Sequence, residues 1–321
     1  MQKKSSVRFV CIGDLVADYY YNDKQLTNVD GGRSKFNDLA NLGKMGNNCV
    51  TFSACSNSKI GEMLCIGLKQ CNVDITYVQR LNIPSRIYNL VKEKNGTYRC
   101  TKKCPKCGKS TWYEESFVRY SDIKSLIHQN DVFIFDSIKL EDIENMAQIT
   151  SHDILLDIGS ISYLSKIPLK TLKSILQRKY EIVQLNQKVA DYLLEIFKVN
   201  SYEQLKNFIN SNLIIITLGK KGAYFLTKAF SCSKSLIFPA NEVDTLGAGD
   251  AFFSTFIDEY YKQNKKIGKN FIDYTFNRAI QTTRHIVQSE GGRGHLYKKI
   301  KIKEIANTCV CQDFEIQNGR W

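Results

Sequence analysis

The amino-acid sequence predicts an α/β fold in which a mostly parallel β-sheet is covered by helices on both faces. Short apolar runs rich in β-branched residues recur along the chain, and segments with helical periodicity follow them. This alternation is typical of parallel sheets, whose strands are buried on both sides. With 321 residues, 43% of them hydrophobic, the chain can bury a large core as one or two domains.

The individual elements follow from the pattern of apolar residues. Strands are predicted at residues 7–12, 131–136, 153–157, 182–185 and 213–218, of which the last is the most apolar. Helices are predicted at residues 169–178, 189–197 and 202–209, and a further helix begins near residue 248. The first strand ends at Gly13-Asp14, and ligands of such sheets gather at the carboxyl ends of strands.

Two stretches, residues 18–30 and 86–120, interrupt this alternation. The first contains a run of tyrosines among polar residues. The second has the pattern of strands joined by polar turns, with Asn95-Gly96 as a hairpin signal. We expect these stretches to form a small β appendage on the sheet.

Residues 244–252, DTLGAGDAF, place two glycines and a carboxylate where a loop becomes a helix. The start of a helix offers backbone N–H groups and a positive dipole end to an anion, and glycine allows a close approach. Asp250, in the same turn, could take a proton from an attacking hydroxyl. These are the parts of a phosphoryl-transfer site, although an ordinary loop-to-helix junction has the same local pattern.

The run DTLGAGDAF resembles the C-terminal motif of the ribokinase-like (PfkB) carbohydrate kinases, and the resemblance covers roughly residues 7–295. It implies one kinase domain over residues 1–321, built as a ribokinase-like three-layer sandwich. Residues 18–30 and 86–120 would then form a small β lid, and residues 300–321 a C-terminal tail. The resemblance also implies a homodimer that forms through the lid.

Motifs near the N-terminus resemble those with which this family binds its sugar. Residues 13–21, GDLVADYYY, are similar to the opening of the heptose-7-phosphate kinase branch, and residues 37–46, NDLANLGKMG, follow a glycine pair. The implied substrate contacts are Asp14, Asp18, Gly31, Gly32 and Asn37. A carboxylate and an amide can hold vicinal hydroxyls. Alternatively, Asp14 could cap the next segment, and Asn37 could cap a helix that runs from Asp38.

The residues implied for nucleotide binding lie in the second half of the chain. Residues 217–223, TLGKKGA, resemble the family's TxGxxG segment, and Asn186 stands where the family has NxxE. The implied nucleotide contacts are Asn186, Thr217, Gly219, Gly222 and Asn277. Val189 replaces the glutamate of NxxE. Magnesium would therefore be held by Gln187, by an acidic residue elsewhere in the chain, or by the ATP phosphates and water.

The resemblance implies a mechanism that uses ATP and Mg²⁺. ATP would lie along residues 219–222, and the amides of Gly247, Ala248 and Gly249 would stabilise charge on the transferring phosphoryl group. Asp250 would orient or deprotonate the acceptor hydroxyl. Asp244 resembles the aspartate that several relatives place at a monovalent-cation site, which makes it a candidate ligand of K⁺.

Cys100, Cys104 and Cys107 lie in the insert 100–107, whose Cys-Pro-x-Cys-Gly sequence is typical of a zinc knuckle. These three cysteines predict a structural Zn²⁺, with reduced, metal-free thiols as the alternative. A fourth ligand would have to come from a distance. The candidates are Cys309, Cys311, Cys49, Cys55 or a cysteine of a second subunit.

Composition limits the partners and the location. The formal net charge of +13 favours anionic ligands such as nucleotides or sugar phosphates. We expect no nucleic-acid partner because zinc-finger and RNP-like motifs are lacking, and no membrane partner because no apolar run nears ~18 residues. The short basic start leaves no room for a signal peptide, so a cytoplasmic location with reduced cysteines is expected. Arg33 and Lys35 could bind a substrate phosphate or belong to a solvated loop.

The sequence therefore predicts an ATP-dependent kinase that acts on a hydroxyl of a sugar or sugar phosphate, with a heptose-phosphate-like acceptor favoured. A nucleoside kinase of the same fold is the nearest alternative. A non-catalytic protein that binds a sugar or nucleotide is a further one, and the missing NxxE glutamate gives it some weight.

Overall fold

The computed structural model describes residues 7–94, 98–113, 116–149, 151–236, 244–288, 291–293 and 296. Its strands are, in chain order, β1 (Arg8–Ile12), β2 (Val16–Asn22), β3 (Gln25–Gly31), β4 (Asn48–Ser56), β5 (Val73–Asp74), β6 (Val78–Leu81), β7 (Arg86–Lys92), β8 (Tyr98–Thr101), β9 (Asp131–Phe135), β10 (Asp153–Ile158), β11 (Tyr180–Asn186), β12 (Ser211–Thr217), β13 (Ala223–Leu226) and β14 (Ser231–Lys234).

The α-helices are α1 (Ser34–Lys44), α2 (Lys59–Gln70), α3 (Tyr120–Ile123), α4 (Leu140–Gln148), α5 (Ile161–Leu164), α6 (Leu169–Leu176), α7 (Gln187–Phe197), α8 (Ala248–Lys262) and α9 (Lys269–Val287). Short 3₁₀ turns lie at Lys124–Leu126, Tyr202–Asn207 and Gly219–Lys221.

The main sheet has the strand order β14-β13-β12-β11-β10-β9-β1-β4-β5, with β6 paired to β4. All its pairs are parallel except those of β13 with β12 and with β14. The parallel strands all end at one edge of the sheet, where β1 leads into Gly13-Asp14 and β10 carries Asp157. This edge positions the candidate site.

Helices cover both faces of the main sheet and form two separate cores. Alternate strand residues, such as Phe9 and Leu155, pack on one face with α1, α2, α8 and α9. Their neighbours, such as Val10 and Leu156, pack on the other face with helices α3 to α7. The predicted three-layer α/β arrangement is confirmed.

Two predictions for the elements of the main sheet need correction. Strand β4 was not predicted, because its sequence NCVTFSACS lacks the continuous apolar run of the other buried strands, yet Thr51 and Ser53 are fully buried. The Thr51 hydroxyl donates to the carbonyl of Cys11, which explains how a polar side chain is tolerated in the core. Residues 202–209 were expected to be helical and form only a 3₁₀ turn at Tyr202–Asn207.

The two stretches that interrupt the alternation form a second, four-stranded sheet with the order β3-β2-β7-β8, which we call the small sheet. Strands β7 and β8 pair in antiparallel fashion, as the hairpin signal predicts, although Asn95 and Gly96 themselves lie outside the described residues. The predicted tail, residues 300–321, also lies outside them. Within the described part of the chain, no helix is both long and apolar enough to span a bilayer.

Candidate active site

The candidate active site lies at the carboxyl edge of the main sheet, where α8 begins. The helix starts at Ala248, as the sequence predicts, and Gly247 precedes it with a φ of 77°. A Cβ at Gly247 would overlap the backbone of Gly292, so both the positive φ and the packing require glycine. Asp250 lies in the first turn of α8 and is buried.

Asp250 is joined to two other parts of the chain through Asn37 of α1. Asn37 Nδ2 donates to Asp250 Oδ2 at 2.6 Å, and Arg293 Nε donates to Asn37 Oδ1 at 2.6 Å. A second nitrogen of the buried Arg293 donates to the carbonyl of Gly32 at 2.8 Å. Asn37 lies inside α1, so the alternative in which it caps a helix running from Asp38 is wrong.

The glycine pair lies directly against two polar side chains. A Cβ at Gly31 would overlap the guanidinium of Arg293, and a Cβ at Gly32 would overlap the carboxyl of Asp18. Loss of hydration raises the pKa of Asp18 to about 8, and the charge of Asp30 adds to the rise. The pair thus brings Arg293 and Asp18 close to the backbone beside Asn37.

Further carboxyl groups surround Asp250. Asp38 and Asp157 are buried, and burial together with repulsion from Asp250 raises the pKa of each well above its usual value. Burial also raises the pKa of Asp250, while hydrogen bonds from Asn37 and Ser34 oppose the rise. A carboxylate in such surroundings is a stronger base than one in water.

Gln184 of β11 connects these carboxyl groups to the helix start. Its Nε2 donates to Asp157 Oδ1 at 3.3 Å and to the carbonyl of Gly249 at 3.1 Å. Among the described residues, a Cβ at Gly249 would meet only that amide nitrogen, at 3.9 Å. Of the three predicted anion-binding amides, that of Ala248 donates to Thr245 O at 3.3 Å.

Asp14 occupies the predicted position at the carboxyl end of β1, where it is fully buried. Its carboxylate accepts from Phe117 N at 3.0 Å and Ser116 Oγ at 3.2 Å, and it lies 3.3 Å from a guanidinium nitrogen of Arg86. Arg86 belongs to β7, so this buried ion pair fastens the small sheet to the main sheet. The contact of Asp14 with a sugar stays a prediction.

Arg33 and Lys35 are buried, which rules out the solvated loop. Arg33 pairs with Asp136 at 3.1 Å and with Asp142 at 3.2 Å. Lys35 pairs with Asp142 at 3.2 Å and donates to the carbonyl of Ile12 at 2.6 Å. Because both cations neutralise Asp142, the pKa of this buried carboxyl is lowered to about 2.

The predicted nucleotide segment lies at the end of β12, as expected. Gly219 has a φ of 58°, and a Cβ there would meet no atom within 4 Å, so its backbone is open to a ligand. Gly222 has a φ of 102°, and a Cβ would overlap the carbonyl of Lys234. Thr217 is half-buried and pairs with Ala223 across β12 and β13. The chain thus offers an open glycine turn next to the carboxyl edge.

Of the two remaining predicted nucleotide residues, Asn186 ends β11 and Asn277 lies on α9. Asn186 caps α7, since its Oδ1 accepts from Val189 N at 2.9 Å while its Nδ2 donates to Gly159 O at 2.7 Å. Val189 is fully buried and offers no oxygen to a metal. Asn277 is exposed on α9. Their contacts with a nucleotide stay predictions.

Asp244 joins the loop before α8 to the segment after α9. Its Oδ1 accepts from Leu246 N and its Oδ2 from Gly291 N, both at 3.0 Å. Asp244 is buried, and these bonds hold its carboxylate beside the start of α8. Its role at a K⁺ site stays a prediction.

The zinc prediction is not supported. Among the described residues, Cys100, Cys104 and Cys107 included, no group of three or more His, Cys, Asp or Glu side chains could hold a metal ion. Cys104 is buried whereas Cys100 and Cys107 are exposed. Cys55 instead lies 3.6 Å from Cys65. Cys309 and Cys311 fall outside the described residues.

A different interaction holds the loop that contains these cysteines. Trp112 stacks on Tyr88 of β7 with ring centroids 4.4 Å apart. The ammonium groups of Lys102 and Lys139 lie 4.6 and 5.1 Å from the indole centroid, and both also approach the ring of Tyr163. Lys139 directly precedes α4 and Tyr163 lies on α5, two helices that cover the main sheet. Aromatic and cation–π contacts therefore connect the loop to these helices.

The fold and the arrangement of glycines and carboxylates at α8 can now be compared with known proteins. The family model for pfkB family carbohydrate kinases matches residues 8–293. The chain belongs to this family. This confirms the resemblance on which the predicted kinase activity rests, while the match does not distinguish the heptose-phosphate branch.

Relatives of known name include a ribokinase from Staphylococcus aureus, 30% identical over 156 residues, a match that covers 47% of this chain and about half (49%) of the ribokinase. An ATP-dependent 6-phosphofructokinase from Thermoanaerobacterium thermosaccharolyticum is 26% identical over 244 residues, which is 70% of each chain. A Dictyostelium discoideum ribokinase is 21% identical over 291 residues, 81% of this chain and 86% of that one.

Solved structures share the fold at low identity. A Vibrio cholerae fructokinase solved with fructose, ADP and potassium ion has a TM-score of 0.71 at 16% identity and covers 92% of this chain and 96% of its own. A Sinorhizobium meliloti adenosine kinase has a TM-score of 0.70 at 14% identity, with 97% and 99% covered. The ribokinase-like fold is therefore shown, whereas the acceptor is not.

Several residues at the site were not found from the sequence. Arg293 was overlooked because a lone arginine after a glycine pair has no distinctive pattern. Asp157 ends a predicted strand and could have been identified from the rule that ligands gather at carboxyl ends. Gln184 and Arg86 lie inside strands, and only the three-dimensional pairing reveals what they contact.

Proposed function

We propose that the protein transfers the γ-phosphoryl group of ATP to a hydroxyl of a sugar or sugar phosphate, with a heptose-phosphate-like acceptor favoured. The observation that carries this proposal is the position of Asp250. The carboxyl is buried in the first turn of α8, directly after a glycine-rich turn in which Gly247 has a φ of 77° and packs against Gly292. A base beside an anion-binding helix start is what phosphoryl transfer to an alcohol requires.

In this proposal Asp250 accepts the proton of the acceptor hydroxyl as the hydroxyl oxygen attacks the γ-phosphorus, while the bond from that phosphorus to the bridging oxygen breaks and ADP leaves. The backbone N–H groups of Gly247, Ala248 and Gly249 would stabilise the charge that develops on the phosphoryl oxygens, and that of Ala248 would give up its 3.3 Å bond to Thr245 O to do so. Gln184 supports this arrangement, since its bond to the carbonyl of Gly249 fixes the first turn of α8. The open turn at Gly219 and the bend at Gly222 accommodate the nucleotide.

Metal ions enter the proposal only in a limited way. The described residues include no set of three metal-binding side chains, and Val189 stands where the family has a glutamate. We therefore assign no step to a metal held by protein carboxylates, and Mg²⁺ would arrive with the ATP phosphates. K⁺ beside Asp244, a cytoplasmic location and a homodimer through the small sheet remain proposals from the family resemblance.

The acceptor is proposed from the motif at residues 13–21, which resembles the heptose-7-phosphate kinase branch. A nucleoside acceptor is the second candidate, because an adenosine kinase shares the fold at a TM-score of 0.70. A non-catalytic binding protein is disfavoured by the retention of Asp250.

The test is an acceptor-dependent ADP-release assay with purified protein, ATP and Mg²⁺. The panel contains pentoses, hexoses and heptoses, their monophosphates, and nucleosides. We expect the highest kcat/KM among the sugar phosphates. Turnover with nucleosides alone would support the second candidate, and ADP release that no acceptor stimulates would contradict kinase activity.

A further inference from the structure

Three consecutive backbone N–H groups, those of residues 291–293, donate to three side chains from two parts of the molecule. The acceptors are Asp244 Oδ2 at 3.0 Å, Tyr20 Oη at 3.2 Å and Asp30 Oδ2 at 3.1 Å. Asp244 precedes α8, whereas Tyr20 and Asp30 belong to the small sheet. This short segment therefore joins the start of α8 to the small sheet.

The side chain of Arg293 extends the same connection to the base. It is buried, with 2% of its surface exposed, and it donates to Asn37 Oδ1 and to the carbonyl of Gly32. The guanidinium is planar and its donors are fixed in direction, so two such bonds determine its orientation. The absence of a Cβ at Gly31 is what lets it lie there.

The bond from Arg293 determines which way the amide of Asn37 faces. Because a guanidinium can only donate, the amide atom next to it must be the oxygen, and the amide nitrogen must then face Asp250. In the reversed amide, an oxygen would face the Asp250 carboxylate and an NH₂ would face the guanidinium, and both contacts would be repulsive. Arg293 thus selects the one orientation that gives Asp250 a donor.

We propose that Arg293 is a positioning residue, which orients the Asn37 amide so that its nitrogen donates to the Asp250 carboxylate. This inference rests on the proposed function, in which Asp250 is the base. Residues 291–293 therefore have two roles. They bind to the small sheet, and through Arg293 they fix the hydrogen bond from Asn37 to Asp250. The acceptor hydroxyl meets a carboxylate whose orientation is fixed before the acceptor arrives.

The charged groups around Asp250 determine the sign of the expected pH effect. Asp136 at the end of β9, Asp38 on α1, Asp157 on β10 and Asp18 on the small sheet all oppose its ionisation. The positive charge of Arg293 favours the ionised form and lowers the pKa of Asp250. Loss of that charge raises the pKa, so the acid limb of the kcat profile moves to higher pH.

The kinetic test compares Arg293→Met with Arg293→Lys. We expect the Met variant to lose roughly 10- to 100-fold in kcat, with the KM for ATP unchanged and the acid limb at higher pH. The Lys variant keeps the charge but not the two directed bonds, so its kcat falls and its acid limb moves less than that of the Met variant. Identical pH profiles for the wild type and the Met variant would overturn the proposal.

A double-mutant cycle separates positioning from a merely structural role. If Arg293 acts through Asn37, the variant Asn37→Ala/Arg293→Met loses no more kcat than Asn37→Ala alone. Independent, additive losses would overturn the proposal. If Arg293→Met does not fold, as judged by its Tm, Arg293→Gln takes its place in the cycle, because it keeps a hydrogen-bond donor without the charge.

A readout that does not use activity keeps this inference separate from the proposed function. Protein labelled with ¹³C at Asp Cγ is titrated by NMR, and the Asp250 signal is identified by its loss in Asp250→Asn. Because loss of the charge alone raises the pKa of Asp250, the shift is compared in two backgrounds: we expect Arg293→Met to raise this pKa more in the wild type than in Asn37→Ala, and equal shifts would overturn the inference. If this difference is seen while no acceptor stimulates ADP release, the proposed function fails and the positioning role stands.

Discussion

The small sheet is fastened to the main sheet by two different kinds of interaction. The first are directed hydrogen bonds and ion pairs, such as those of Arg293 beside Asp250 and of Arg86 with Asp14. The second are the aromatic stacking and cation–π contacts of Trp112, whose ring centroid also lies 5.3 Å from the Arg86 guanidinium, and these tolerate changes in angle. The proposed base is thus held by the stricter interactions.

The largest expected effect concerns the base itself. Asp250→Asn keeps the hydrogen-bonding shape of the side chain but cannot accept the proton of the acceptor hydroxyl. We expect kcat to fall by about 10²–10⁴-fold. The KM for ATP should change little, because Asp250 is not placed against the nucleotide. Steady-state ADP release measures both constants, and near-normal turnover would remove Asp250 from the role of base.

The next effect concerns the ion pair between Arg86 and Asp14. Arg86→Met leaves the carboxylate of Asp14 buried without its cation, and breaking such a pair costs about 3–5 kcal/mol of unfolding free energy. Urea denaturation followed by circular dichroism measures this loss. Arg86→Lys is the matched control because it keeps the charge, and it should lose clearly less. Equal stability of the Met variant and the wild type would show that the pair does not fasten the sheets.

The aromatic fastening point should be worth less. Trp112→Leu removes the stacking on Tyr88 and the ring that faces three cations, for a loss of about 1–3 kcal/mol. These cations are Lys102, Lys139 and Arg86. Trp112→Phe keeps a ring and should lose less than the leucine variant. If Trp112→Leu lost as much stability as Arg86→Met, the aromatic contacts and the ion pair would contribute equally, which would contradict the comparison.

The smallest effect is a gain in stability at Asp38. The pKa of this buried carboxyl is raised in the folded protein, so the stability that it contributes at low pH is lost as pH rises above the unfolded value. Asp38→Asn carries no charge and keeps an oxygen for the hydroxyl of Ser254. We expect its Tm to exceed that of the wild type by a few degrees at pH 7 and to match it near pH 4. Parallel Tm curves across this range would contradict the assignment.

The sequence predicts those features that depend on neighbouring residues. The start of α8 at Ala248 follows from two glycines before an apolar face, and the parallel strands follow from runs such as LIIITL. Strand β4 was missed because its polar residues are satisfied by contacts from other strands, which are invisible in one segment. Local pattern is sufficient where the neighbours in sequence supply the contacts.

The site was predictable only in part for the same reason. Asp250 stands in a distinctive run, whereas Arg293 acquires its meaning from Asn37, 256 positions away in the chain. The insert 100–107 is the opposite case, because a distinctive sequence there predicts a zinc site that the structure does not support. Its Cys-Pro-x-Cys-Gly spacing is typical of zinc sites, but the described residues include no group of three side chains that could hold a metal ion, and the loop is held through Trp112. Spacing alone does not fix the directions of side chains.

The most direct test measures kcat and Tm together for Asp250→Asn and Trp112→Leu, in the same ADP-release assay and the same buffer. The account predicts that Asp250→Asn loses turnover by orders of magnitude and keeps a Tm near that of the wild type. Trp112→Leu should lose Tm and keep its kcat below its melting range. Retained turnover in Asp250→Asn, with the protein folded, would contradict the central claim that this carboxylate is the base of a phosphoryl-transfer site.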